Sequence, residues 1–304
     1  MSRIATIDIG TNTTLLLVAE VQDGKITVLE DRAEITRLGR GIGSDGRLGR
    51  EGIDRTLAAL SGYAVLARVH EAPIFAIGTE ALRRAPNAAD FLGRAGAILD
   101  TPVEVITGER EANLTFLAAR HSFPQMAEQT MVVVDIGGGS TEIIVARHGS
   151  IDSCCSLPLG SVRLTERHIH HDPALASEVA AVAEEVAGHL ACTLFPSEAE
   201  QACLVGVAGT VTTLTAMAQE LRSYDPQLVH GYRLTIPALK RQLDRLAAST
   251  QAERQAMVGL DPRRADVILS GGIILSEIAN QVGRGEILVS DRGIRWGLLL
   301  DKLV

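Results

Sequence analysis

Apolar residues along this chain fall into short dense runs that end in a small or acidic residue and a turn, and these alternate with longer stretches of helical periodicity. The first run, RIATIDIGTNTTLLLVAEVQDGKITVL, holds two β-branched-rich segments around DIGTNT and then a DG turn, which predicts a hairpin followed by a third strand. MVVVDIGGGSTEIIVARHGSIDS repeats that plan much later. Setting Asp8 on Asp135, an offset of 127 residues, brings Thr13 onto Ser140 and Thr14 onto Thr141. The parallel continues with Gly78-Thr79 and Gly209-Thr210, each between an apolar run and a helical stretch. A closing strand and helix read as VEVITGEREANLTFLAA and as EILVSDRGIRWGLLLDKL. Two tandem copies of such a unit predict two mixed-sheet α/β domains, residues 1–123 and 124–304, with the last helix able to pack back on the first domain and the glycine turns converging on a cleft between them. One matched position differs, Leu15 against Glu142, so the copies have specialised.

Between the strands, Ile53, Leu57, Leu60, Ala64 and Ala67 form one stripe over residues 51–69, and Leu175, Val179, Val182, Val186, Leu190 and Leu194 form another. Both predict helices that bury a core face. Asp261-Pro262 predicts a helix start, with Asp as cap and Pro at the first position.

Composition narrows the function classes. Acidic residues outnumber basic ones, 37 to 29, and do so in both halves, which argues against a nucleic-acid module. A protein of net charge -8 that handles a polyanion must use local arginines, backbone N–H groups and metal, since its overall field repels the ligand. Cys154, Cys155, Cys192 and Cys203 form no C-x-x-C pair and read as small apolar residues of a reducing compartment. The start, MSRIATIDIG, has no signal-peptide pattern, and no apolar stretch approaches membrane-spanning length, so the expected location is the cytoplasm, without a membrane partner.

The candidate chemistry sits at the turns. In VVVDIGGGSTE, Gly137, Gly138 and Gly139 allow backbone N–H groups to close on an anion, and Ser140 and Thr141 add hydroxyl donors. Asp135 and Glu142 flank the loop, and two carboxylates beside a phosphate cradle suit Mg²⁺. Alone, the segment reads equally as a tight glycine hairpin. With the related loop at Asp8, Thr11, Asn12 and Thr13, the phosphate reading wins. Asp8 is a further candidate metal ligand, and Gly209 and Thr210 are further phosphate candidates. In ITGEREAN, Glu111 lies in the first turn of a helix. It could orient an attacking water, although spacing alone makes Glu109 and Glu111 ordinary N-terminal acids. Arg83 follows a strand–Gly-Thr turn and is the arginine best placed for an anion. The run of Arg32, Arg37, Arg40, Arg47, Arg50 and Arg55 reads as a solvated loop leading into a helix. The segment from Glu166 to His171 has three histidines but no matched carboxylate spacing. Gly271-Gly272, inside a helical stretch, allows close helix packing or the approach of a ligand.

Taken together, DIGTNT, TEALRRA, GEREA, DIGGGSTE, AGTVTTL and SDRGIRWGLL resemble the exopolyphosphatase/guanosine pentaphosphate phosphohydrolase family, in family order over essentially the whole chain. The resemblance implies duplicated actin-like (ribonuclease H-like) domains of the actin/sugar-kinase/heat-shock-protein superfamily. It implies release of terminal phosphate from inorganic polyphosphate, or conversion of guanosine pentaphosphate to the tetraphosphate, with Mg²⁺ or Mn²⁺. By the same resemblance Glu111 matches the catalytic base, Asp135 and Glu142 the acidic residues at the cation, Thr11 to Thr13 and Gly137 to Ser140 the phosphate loops, and Arg83 a substrate-contacting arginine. A homodimer is implied as well. Two departures stand out: Arg110 takes a position often acidic in the family, and the chain resembles the short members that lack a C-terminal helical extension. A kinase or ATPase of the superfamily, and a noncatalytic polyphosphate sensor, are the rival readings.

Overall fold

The structure, a computed structural model, describes residues 2–42, 46–126, 128–191, 193 and 202–303. Cys192 and Leu194 of the sequence reading lie outside these. The chain forms two compact units, Met1–Leu117 with Ile294–Val304, and Ala118–Gly293.

Strands β1 (Ser2–Ile9), β2 (Thr14–Gln22) and β3 (Lys25–Glu34) open the first unit, followed by α1 (Arg50–Val69), β4 (Ile74–Gly78), α2 (Glu80–Arg84), α3 (Ala88–Leu99), β5 (Val103–Val105) and α4 (Gly108–Ser122). The second unit holds β6 (Met131–Ile136), β7 (Thr141–Arg147), β8 (Ser150–Leu157), α5 (Ser161–His168), α6 (Ala176–Leu190), β9 (Cys203–Val207), α7 (Ala208–Ala218) and α8 (Pro226–Val229). It continues through β10 (Arg233–Thr235), α9 (Ile236–Ala248), α10 (Gln251–Gln255), α11 (Ile268–Val282) and β11 (Glu286–Val289), and the last helix, α12 (Ile294–Asp301), belongs to the first unit.

Each unit carries one mixed sheet, ordered β3-β2-β1-β4-β5 and β10-β11-β9-β6-β7-β8. The duplication extends to individual pairings. β1 runs antiparallel to β2 with Asp8 opposite Leu15, and β6 runs antiparallel to β7 with Asp135 opposite Glu142. β1 pairs parallel with β4, as β6 does with β9. The central strands β1 and β6 are covered on both faces, which is why they read as unbroken apolar runs, whereas the edge strand β3 is exposed and polar.

The helix α1 buries the five predicted stripe residues. In α6, Val182, Val186 and Leu190 are buried, but Leu175 caps the helix and is 45% exposed. The expected helix start at Asp261-Pro262 is present as a short 3-10 helix, Pro262–Arg264, which Asp261 caps by accepting from the Arg263 amide at 2.9 Å with Pro at the first position; the long helix begins separately at Ile268.

Helix α12 is anchored to the first sheet by polar contacts as well as by Ile294 and Leu298. Arg295 forms a two-pronged ion pair with Asp31 at 3.0 Å, and its carbonyl accepts from the Thr6 hydroxyl at 2.9 Å. Gly297 lies where a Cβ would stand 1.9 Å from the Leu114 carbonyl of α4, so the two helices meet at a point only glycine allows. Arg110, the position that departs from the family pattern, pairs with Asp301 of the same helix at 2.6 Å.

Candidate functional site

In the first unit the candidates gather where the parallel strands β1, β4 and β5 end, the edge at which α/β sheets place ligands. Ile9 lies opposite Gly78, the Thr79 amide donates to the Ile9 carbonyl at 3.2 Å, and the Ile106 amide donates to the Gly78 carbonyl at 3.0 Å. The Asp8–Thr13 loop, the Thr79–Arg84 turn and the start of α4 therefore adjoin one another. Arg83 joins two of them: its Nη1 donates to the Ile106 carbonyl at 2.7 Å and to the Glu111 carboxylate at 3.2 Å. Glu111 is buried in the first turn of α4, where the helix dipole favours its charge. Of the other arginines, Arg32 stands on the strand β3 and not in the expected loop, and Arg50 and Arg55 lie in α1; they pair with Glu30, Asp54 and Glu51 near the surface.

The second unit builds the corresponding edge from β6 and β9. Asp135 and Glu142 are cross-strand partners, so their carboxylates share one face of the hairpin, and both are buried. The loops of the two units are cut to one pattern. Gly10 donates to the Thr13 carbonyl at 3.1 Å, and Gly137 donates to the Ser140 carbonyl at 3.0 Å. Outward carbonyls are tied back in each case. Arg37 and Gly39 amides donate to Asn12 and Thr11 at 2.9 and 2.8 Å, with Arg37 held at φ 54. In the second loop, Ser161 and Val162 amides donate to Gly137 and Gly138 at 3.0 Å, and the Arg163 Nε donates to Gly139 at 2.8 Å. The amides of Thr11, Asn12, Gly138 and Gly139 make no hydrogen bond among the described residues, although all four residues are buried. Buried amides facing no acceptor are the donor set an anion needs.

Thr210 donates to the Ile136 carbonyl at 3.3 Å, which puts the start of α7 beside the Gly137–Ser140 loop. The preceding Ala208 adopts φ 68, a left-handed conformation uncommon outside glycine. Gly271 settles its two sequence readings in favour of packing, since a Cβ there would meet Thr210 at 2.7 Å and Ser161 at 3.2 Å. Gly272 faces Leu243 and Leu214 in the same manner.

Four residues beside the candidates carried no signal of their own. Gly160 and Arg163 brace the Gly137–Gly139 loop, Ser156 donates to Glu142 at 2.7 Å, and the Arg264 guanidinium lies 2.4 Å from where a Cβ of Gly209 would be.

The histidine segment is tied down by hydrogen bonds to carboxylates. His168 pairs with Glu185 at 2.5 Å and His171 with Glu178 at 2.9 Å, and among the described residues no three His, Cys, Asp or Glu side chains form a metal-binding group. Glu178 accepts from the His171 ring and from the Leu175 and His170 amides, and these donors draw its pKa from 4.5 down to about 2, the His171 bond first. A carboxylate depressed on folding adds stability above its unfolded pKa, and that contribution disappears as pH falls from 4.5 toward 2. Glu178→Gln should therefore melt below wild type near pH 7, with the gap closing as the acid limb is descended. An equal gap across a pH series of thermal melts would refute this assignment.

The Ppx/GppA phosphatase family matches residues 17–304. The chain belongs to that family. It is 37% identical to exopolyphosphatase 2 of Mycobacterium tuberculosis over 318 aligned positions, covering 99% of this chain and 98% of the relative. A crystal structure of the Aquifex aeolicus Ppx/GppA family member matches with TM-score 0.84 and 35% identity, over 99% of this chain and 97% of that one. An exopolyphosphatase from Cytophaga hutchinsonii matches with TM-score 0.89 and 28% identity, over 99% and 98%. The actin-like fold and the phosphatase class of hydrolase expected from the sequence follow from membership in the Ppx/GppA family. No described helix is long and apolar enough to cross a membrane.

Proposed function

We propose that this Ppx/GppA protein is an exopolyphosphatase, releasing orthophosphate from the end of linear inorganic polyphosphate. The observation that carries the reading is the buried Asp135–Glu142 pair beside a loop whose carbonyls are pinned back and whose Gly138 and Gly139 amides meet no acceptor among the described residues. In the second unit the Gly138 and Gly139 amides and the Ser140 hydroxyl are donors for phosphate oxygens, and in the first unit the matching groups of Thr11, Asn12 and Thr13 are donors of the same kind. Gly209 and Thr210, at the start of α7, add the positive end of a helix.

Asp135 and Glu142 supply hard oxygen donors, and two carboxylates completed by substrate oxygens and water are what Mg²⁺ or Mn²⁺ accepts, so the residues present fit the ion; Asp8 is the further candidate. When bound, such a cation would neutralise charge on the phosphoryl oxygens. Glu111, steadied by Arg83, accepts a hydrogen bond from the attacking water and orients it in line. The water oxygen bonds to the terminal phosphorus, the bridging P–O bond breaks, the bridging oxygen leaves with the shortened chain, and a water proton passes through the Glu111 carboxylate to solvent. Little basicity is needed for such a loose transition state; orientation and charge neutralisation do most of the work.

Guanosine pentaphosphate offers the same bond, and a direct comparison decides. Phosphate release is measured on polyphosphate and on guanosine pentaphosphate with the full chain and Mg²⁺. The expected result is the higher kcat/KM on polyphosphate. Preference for the nucleotide would overturn the substrate, and no release from either would overturn the activity.

A further inference from the structure

The two hairpins occupy equivalent places in their sheets, so their third strands can be compared residue by residue. Across the first sheet, the row beginning at Asp8 continues with Leu15 and then Ala33. Across the second, the row beginning at Asp135 continues with Glu142 and then Ser156. Both later positions are apolar in one copy and polar in the other. In the polar copy they are joined, because the Ser156 Oγ donates to the Glu142 Oε1 at 2.7 Å. Glu142 is only 1% exposed, while Ser156 stands on the edge strand β8, where water could satisfy its hydroxyl equally well. The hydroxyl instead turns inward onto a carboxylate.

We infer that Ser156 is a positioning residue for the cation pair: its hydroxyl holds Glu142 in the one rotamer that lets Asp135 and Glu142 bind the same divalent ion. A buried ionised side chain needs hydrogen bonds to stay charged, and a ligand oxygen held by a neighbour loses less freedom when the ion arrives. The leucine and alanine at the matching places of the first sheet could neither ligate nor orient. The hydroxyl and the carboxylate thus belong to one specialisation of the second copy. This inference rests on the reading of Asp135 and Glu142 as the cation site.

Its test is Mn²⁺ binding to the full chain without substrate, followed by the loss of the free-ion electron paramagnetic resonance signal, alongside Mg²⁺ activation of phosphate release. Ser156→Ala should weaken Mn²⁺ binding by about tenfold, the lower end of what removing a ligand's hydrogen-bond partner costs. The Mg²⁺ midpoint should move by a similar factor, with a far smaller loss of rate at saturation. Ser156→Thr, which keeps the hydroxyl, should restore Mn²⁺ affinity. Glu142→Gln separates the two ways of failing. If it weakens Mn²⁺ binding and Ser156→Ala does not, the cation reading stands and the role of Ser156 is overturned. If neither variant changes Mn²⁺ binding, the cation reading fails and the inference falls with it.

Discussion

Gly160→Ala should remove most of the phosphatase activity from a chain that still folds. The backbone of Gly160 is extended, with φ -143, so any residue could adopt its conformation. What it lacks is room. A Cβ there would lie 2.3 Å from the Gly138 carbonyl oxygen, 2.4 Å from its carbon and 2.5 Å from the Gly139 carbon. All three are backbone atoms of the loop between Asp135 and Glu142, and no side-chain rotation can relieve them. The loop must therefore shift, and the bonds from Ser161, Val162 and Arg163 that hold its carbonyls must stretch with it. Displacement of a catalytic loop by about 1 Å costs on the order of 10²-fold in rate, while overpacking of this kind costs about 1–3 kcal/mol in stability. Phosphate release and a thermal melt on the same preparation check both figures. Gly188→Ala is the control: it sits on the exposed side of α6 with nothing within 4 Å of its Cβ, so it should raise the melting point and leave the rate unchanged. A folded Gly160→Ala enzyme with wild-type turnover would show that the loop's position does not matter to catalysis.

What the sequence displayed and what it hid divide along a physical line. The hairpins around Asp8 and Asp135 were legible because strand periodicity, a glycine turn and repetition at a fixed offset coincide there. Asp135 and Glu142 read in the sequence as flanking one turn, and the structure adds that they are direct cross-strand partners. Helix α1 was legible from its stripe, since burying one face is what spaces apolar residues along a helix. Leu175 was misread because a cap residue continues the spacing of the helix it precedes while facing water. Gly160 and Ser156 could not be weighed from the sequence at all. Each matters through a neighbour distant in the chain, Gly160 through Gly138 and Ser156 through Glu142, and nothing local encodes that proximity. Arg110 is the converse case: the sequence marked it as a departure, and its pairing with Asp301 gives it a structural place at the contact between α4 and α12.

The specialisation of the two copies follows from the same comparison. Both loops keep the Gly10-type hydrogen bond and the pinned carbonyls, so both keep the backbone arrangement that the proposed function assigns to phosphate. Only the second keeps a carboxylate opposite its aspartate, and only the first unit carries Glu111 next to Arg83. On the proposed function, the two copies have specialised: the second unit carries the carboxylate pair proposed for the cation, and the first carries the carboxylate proposed to orient water.

Glu111→Gln should then be the most damaging of the conservative substitutions. The amide has nearly the same shape and can still accept from Arg83 through its oxygen, so the 3.2 Å contact and the first turn of α4 should survive. What disappears is the negative charge that would hold an attacking water by accepting its hydrogen bond. Positioned acid–base groups contribute typically about 10²–10⁴-fold, and a loss of kcat in that range is expected, with KM for polyphosphate and the Mg²⁺ midpoint close to wild type. That split distinguishes Glu111 from Asp135 and Glu142, whose amide variants should respond first to the metal titration. Arg83→Ala supplies the second half of the argument. Arg83 bridges Glu111 and the Ile106 carbonyl, and its removal frees the carboxylate to turn while leaving its charge in place. Arg83→Ala should accordingly lose less than Glu111→Gln, and the double variant should be no slower than Glu111→Gln alone, because a residue that acts by holding Glu111 has nothing left to hold. Strictly additive losses in that cycle would mean that Arg83 works on the substrate independently of Glu111. Near wild-type turnover by Glu111→Gln at saturating Mg²⁺ would remove Glu111 from the mechanism.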